Sequence, residues 1–75
     1  MTNQELYTLN AKVSAGNASS QEKDLYMEEL YQRGSISQKQ YDSYKKGEHV
    51  DSIIQAALIV GGILLLGYVV GKLVS

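Results

Sequence analysis

Apolar residues follow two regimes along this chain. Up to about residue 47 they recur at helical spacing between turn residues, and from residue 53 they run almost unbroken. In the first regime Leu6, Leu9 and Val13 share one helical face. Thr2 and Glu5 have the spacing of a capping box, and Met1 and Leu6 that of a hydrophobic staple, so a first helix is predicted over about 2–13. The small residues Ser14-Ala15-Gly16-Asn17-Ala18-Ser19 end it as a loop. Leu25, Tyr26, Met27, Leu30 and Tyr31 form a broad apolar face. With the Ser19/Glu22 box and Gly34 as a C-terminal cap, they predict a second helix over about 20–33. Glu29 and Arg33 are a favourable i, i+4 pair on it. Ser37 with Gln40, and Ile36 with Tyr41, repeat the box and staple for a third helix over about 37–46. Tyr41 and Tyr44 share a face, and Lys45, Lys46 and Gly47 read as a helix end. Gly47 either breaks the chain there or hinges one long helix.

The second regime reads as a membrane helix. Ser52 to Gly71 carries no charge and is bounded by Asp51 and Lys72. As a helix it spans roughly 30 Å, the thickness of a bilayer core. The alternative is a buried core helix, for which the charged preceding segment is a small enclosure. The predicted fold is therefore all-α: short capped helices at about 2–13, 20–33 and 37–46, followed by one C-terminal transmembrane helix over about 52–74. Residues 1–47 form a helical hairpin region, 48–51 a juxtamembrane linker and 52–75 the membrane segment. Lys39, Lys45 and Lys46 precede that segment and only Lys72 follows it, so the positive-inside rule predicts a cytoplasmic N-terminus. The expectation is a tail-anchored, single-pass protein of a bacterial inner membrane or a viral membrane. Lys45, Lys46 and Lys72 are expected at the interfaces, with Tyr68 as an aromatic anchor beside Lys72.

The faces of this helix differ. Ala57, Gly61, Leu64, Tyr68 and Gly71 fall on one stripe, flanked by Gly67. Leu58, Ile59, Leu65, Leu66, Val69 and Leu73 are expected opposite. Ala57-x-x-x-Gly61 and Gly67-x-x-x-Gly71 place small residues where two membrane helices approach closely. Ala57, Gly61, Leu64, Gly67, Tyr68 and Gly71 are thus a candidate helix-packing surface, for copies of this chain or a larger partner.

Composition sharpens the division. The overall 44% hydrophobic content averages a segment 1–52 carrying six basic and eight acidic side chains with a segment carrying Lys72 alone. The absence of Cys removes disulfides and cysteine metal sites, and one His cannot build a multi-histidine zinc site. No basic patch marks a nucleic-acid partner. His49 has only Glu48 and Asp51 as chain neighbours, a solvated linker residue or a pH sensor instead of a positioned triad. The acidic face of Asp24, Glu28 and Glu29 lacks the spacing of a calcium loop. Neither an enzyme, a cofactor, nor a small-molecule substrate is expected.

An offset of 18 residues superposes Leu9, Gly16, Ala18, Ser19, Glu22 and Tyr26 on Met27, Gly34, Ile36, Ser37, Gln40 and Tyr44. Both stretches spell helix, glycine turn, capped helix. The stretch Met27-x-x-Leu30-x-x-x-Gly34-x-Ile36-Ser37-x-x-Gln40-Tyr41-x-x-x-Lys45 resembles the SHOCT pattern, the short C-terminal domain. It departs from that pattern at Met27, Ser37, Gln40 and Tyr41, each similar in role to the residue it replaces. The resemblance implies a small interaction hairpin, often attached to membrane or oligomeric proteins, and no catalytic residues. Met27, Leu30, Tyr31, Ile36, Tyr41 and Tyr44 are expected as the core or partner-facing surface of that hairpin. The expected function is a structural or assembly subunit working through helix–helix packing against the bilayer, as a homo-oligomer or part of a larger membrane or capsid assembly. A virion or phage membrane component is one version. The alternatives are a holin-like or toxin-like permeabilising protein and a tail-anchored adaptor for a soluble partner.

Overall fold

The computed structural model describes residues 1–74, which form four α-helices: α1 (Asn3–Ser14), α2 (Ser20–Gln32), α3 (Gln38–Lys45) and α4 (Val50–Val74). Ser75, counted with the membrane segment by sequence, lies outside the described residues.

The first three helices begin by one mechanism. Thr2, Ser19 and Ser37 sit in extended backbone, and each hydroxyl oxygen accepts the third helical N–H at 3.1 Å. The side chains of Glu5, Glu22 and Gln40 return the bond to the cap residue's own N–H at 3.1, 3.0 and 2.9 Å. All three also end alike. Gly16, Gly34 and Gly47 adopt φ of +75°, +76° and +77°. The following N–H then reaches back five residues: Asn17 to the Lys12 carbonyl at 2.9 Å, Ser35 to Leu30 at 2.8 Å and Glu48 to Ser43 at 2.9 Å. This Schellman closure satisfies carbonyls that a helix end leaves unpaired, and glycine supplies the left-handed residue at no steric cost. The 18-residue offset is thus a shared turn geometry, a Schellman end followed by a capping box. Its equivalent positions Ala18 and Ile36 are turned toward the core.

Gly47 breaks the chain between α3 and α4. The linker is Lys46–His49, not 48–51, because Val50 and Asp51 already belong to α4. Asp51 lies in the first turn of α4, where its charge complements the positive end of the helix dipole. His49 accepts the first α4 bond, from Ile53 N–H at 3.0 Å, and itself has φ +50°. A left-handed non-glycine residue costs about 1 kcal/mol or more.

α1 and α2 form an antiparallel hairpin. Lys12 and Glu22 pair at 2.7 Å at one end. At the other, the Arg33 guanidinium donates to Asn3 Oδ1 and the Met1 carbonyl at 3.1 Å each, and to Glu29 at 2.7 Å. α3 folds on α2 through the stacked rings of Tyr31 and Tyr41, 4.6 Å apart, and through Tyr44, which donates to Asp24 at 2.6 Å. α4 lies against all three and sets the 41 Å long axis of the molecule. The core joins Leu6, Leu9 and Val13 of α1 and Tyr26, Met27 and Leu30 of α2 to Ile36, and it is completed by Ile53, Ala57 and Leu65 of α4.

Candidate functional site

α4 has two unlike faces. Val50–Leu73 is long and apolar enough to cross a membrane, and only 22% of its most apolar stretch is buried. A core helix of a soluble protein would be mostly covered. The outward residues are Ile59, Ile63, Leu66, Val70 and Leu73, between 49% and 82% exposed. Their spacings of 4, 3, 4 and 3 make one continuous apolar stripe along the helix.

The inward face follows a different row. Ile53, Ala57, Gly61 and Leu65 are buried at a constant spacing of four, the ridge that packs into the groove of a neighbouring helix. Tyr26 sits at its centre with its ring fully buried. The phenol oxygen accepts from Asn10 Nδ2 at 2.7 Å and donates to the Ala57 carbonyl at 3.3 Å. Burial raises the Tyr26 pKa against the opposing pull of the Asn10 hydrogen bond. Gly61 makes this approach possible. A Cβ there would collide with the Tyr26 hydroxyl and lie 3.2 Å from Cζ and 3.3 Å from Asn10 Nδ2. The other α4 glycines, Gly62, Gly67 and Gly71, have nothing within 4 Å of such an atom.

α1 runs antiparallel to α4 along its C-terminal half. Asn10 lies at Gly61, the Tyr7 ring lies 6.5 Å from that of Tyr68, and Gln4, Tyr7 and Thr8 line a groove with Tyr68, Lys72 and Leu73. α1 thus follows α4 almost to its end.

The expected small-residue stripe is divided by these contacts. Ala57 and Gly61 are buried, but against Tyr26 of the same chain. Tyr68 is half-buried against Tyr7, with the Lys72 ammonium 5.5 Å from its ring centre. Leu64, Gly67 and Gly71 are exposed. Leu65, expected on the opposite face, is 3% exposed. The reason is the constant spacing of four, which drifts around the helix relative to an alternating four-and-three stripe and replaces Leu64 by Leu65.

The hairpin residues are likewise turned inward. Met27, Leu30 and Ile36 are core, so they present no surface to a partner in this fold. Tyr31, Tyr41 and Tyr44 are half-buried and engaged with each other or with Asp24. Lys45 and Lys46 are exposed at the end of α3, with Lys45 5.8 Å from the centre of the Tyr41 ring. Tyr26 and Asn10 are the pair that periodicity alone does not single out. Tyr26 looks like any apolar-face residue, and the partner of Asn10 is 16 residues away.

Outside α4, the pKa values of three further side chains are shifted by hydrogen bonds or by burial. The Thr2 N–H holds the Glu5 carboxyl below its usual range, and Lys12 followed by the Ser19 N–H does the same for Glu22. Burial, with Asp24 beside it, pushes the Tyr44 phenol well above the ordinary tyrosine range. Comparison of the chain with protein-family profiles, curated proteins and solved structures finds no match.

Proposed function

We propose that this chain is a small single-pass membrane protein that acts as a structural or assembly subunit through packing of α4. The observation that carries the reading is the outward stripe Ile59, Ile63, Leu66, Val70 and Leu73, on a helix of bilayer length, which no other described element covers. In water such a stripe is a liability, and a bilayer removes it. Lys39, Lys45 and Lys46 on the near side support a cytoplasmic N-terminus, with Lys72 reaching the far interface. Gly67 and Gly71, exposed and spaced by four, are where a second α4 or a larger partner can approach closely. A viral or phage membrane assembly is one setting for a subunit of this kind.

The test is expression in a bacterial host followed by alkaline extraction of membranes and crosslinking in the intact membrane. The chain is expected to stay with the membrane and to give a ladder of oligomers that Gly67→Leu abolishes. A Cβ added at Gly67 meets nothing within 4 Å in the fold, so this substitution reports on contacts between chains. Release at alkaline pH sinks the membrane reading, and an unchanged ladder sinks the packing role of Gly67. Rapid lysis of the host would favour a permeabilising protein instead.

A further inference from the structure

We propose that α1 and α2 are an intramolecular clasp holding α4 in a closed state that does not span, and that spanning requires the clasp to open about Gly47–His49. This rests on the membrane reading of α4 given above. The two states exclude each other. α1 lies along α4 from Gly61 to Lys72, the half that must traverse the bilayer for the C-terminus to reach the far side. A docked α1 would carry Glu5, Lys12 and its polar face into hydrocarbon, where charged side chains are strongly disfavoured.

The closed state has a defined latch. Tyr26 bonds Asn10 and the Ala57 carbonyl and fills the space that Gly61 leaves open, so one tyrosine ties α1, α2 and α4 together. It also has a hinge. Gly47 at φ +77° and His49 at φ +50° fold α4 back on α3, and rotating two backbone positions swings α4 away as a rigid unit. The residues released from α4 are those that a bilayer or a second helix accepts, so opening transfers the inner face Ile53, Ala57, Gly61 and Leu65 from Tyr26 to a new apolar surface. The closed state leaves Ile59, Ile63, Leu66, Val70 and Leu73 uncovered, so a bilayer is contacted before the clasp lets go.

The chain has no cysteine, which allows an unambiguous lock. Tyr7→Cys and Tyr68→Cys, whose rings are 6.5 Å apart, are joined by a short reducible thiol crosslinker. The full chain, with a C-terminal epitope, is added to vesicles of phosphatidylcholine and phosphatidylglycerol. Spanning is read as protection of the epitope from external protease together with resistance to alkaline extraction. The linked chain is expected to remain accessible, with protection rising at least tenfold on reduction. A linked chain that spans as well as the reduced one overturns the clasp and leaves the membrane reading intact. Failure of the wild-type and unlinked chains to span overturns the membrane reading and the clasp with it. Independently of the crosslink, Gly61→Ala is expected to speed spanning several-fold over Gly62→Ala, because only the first collides with Tyr26. Equal rates for the two overturn the latch.

Discussion

The first three helices and the fourth are specified by opposite means. α1, α2 and α3 are 12, 13 and 8 residues long, too short to be helical alone in water. Each is fixed at both ends by side-chain and backbone bonds that only a few residue types can make. α4 has 25 residues, and its N-cap position is the left-handed His49, not a Ser, Thr, Asp or Asn. Its helicity comes from length and from a composition that suits a bilayer, where backbone groups must pair internally. The difference teaches that the short helices depend on one another and on α4, whereas α4 has the length and composition to hold its helix without them in a membrane.

The most severe way to break this comparison is Leu30→Ala, at a fully buried α2 position. It should cost about 2–5 kcal/mol and unfold α1–α3 in water. Circular dichroism of the chain in detergent micelles should still show α4 intact, and collapse of both would mean that α4 depends on the clasp. Next is Gly34→Ala, which puts a Cβ on a residue at φ +76° and should destabilise the α2–α3 turn by about 1–2 kcal/mol. Thermal melting followed against Gly62→Ala, inside α4, should show the opposite sign there, since alanine favours a helix interior by about 1 kcal/mol over glycine. Ser37→Ala removes the hydroxyl that caps α3 and should cost about 1 kcal/mol, with the loss of amide protection confined to Gln38–Lys45.

The mildest expected effect is the pH dependence, and it too belongs to the first three helices. Glu5 and Glu22 have lowered pKa values, so their capping contribution is present above the ordinary glutamate value of 4.5 and is lost as pH falls through the folded values. Tyr26 and Tyr44 have raised values, so their contribution is complete below the ordinary tyrosine value of 10.0 and declines as pH rises above it. Denaturation by urea at several pH values should show both flanks, and Tyr44→Phe should flatten the alkaline one. An alkaline flank that survives in the double variant Tyr26→Phe/Tyr44→Phe would place its origin elsewhere.

Much of this architecture was legible in the residues. Thr2/Glu5, Ser19/Glu22 and Ser37/Gln40 mark helix starts because a capping box is a contact over three residues. Gly16, Gly34 and Gly47 mark helix ends because only one backbone conformation closes a Schellman turn cheaply. Both signals act within one turn of helix, so no tertiary information is needed to read them. At Gly47 the local pattern allows both a hinge and a terminus for the same reason, and the fold-back of α4 onto the core of Leu6, Leu9 and Val13 selects the break.

By itself, then, the sequence determined four helices, the caps of the first three and the bilayer length of α4. Only the tertiary structure decided which side of α4 is covered and by what. The Ala57-x-x-x-Gly61 spacing records that a close approach occurs, not whether another chain's helix or Tyr26 makes it. That choice depends on a phenol 31 residues from the carbonyl it bonds, and on a row of spacing four that brings Leu65 inward in place of Leu64. Periodicity reports how residues sit around a helix axis, and the angle at which the next helix crosses that axis is set by all the side chains at the contact.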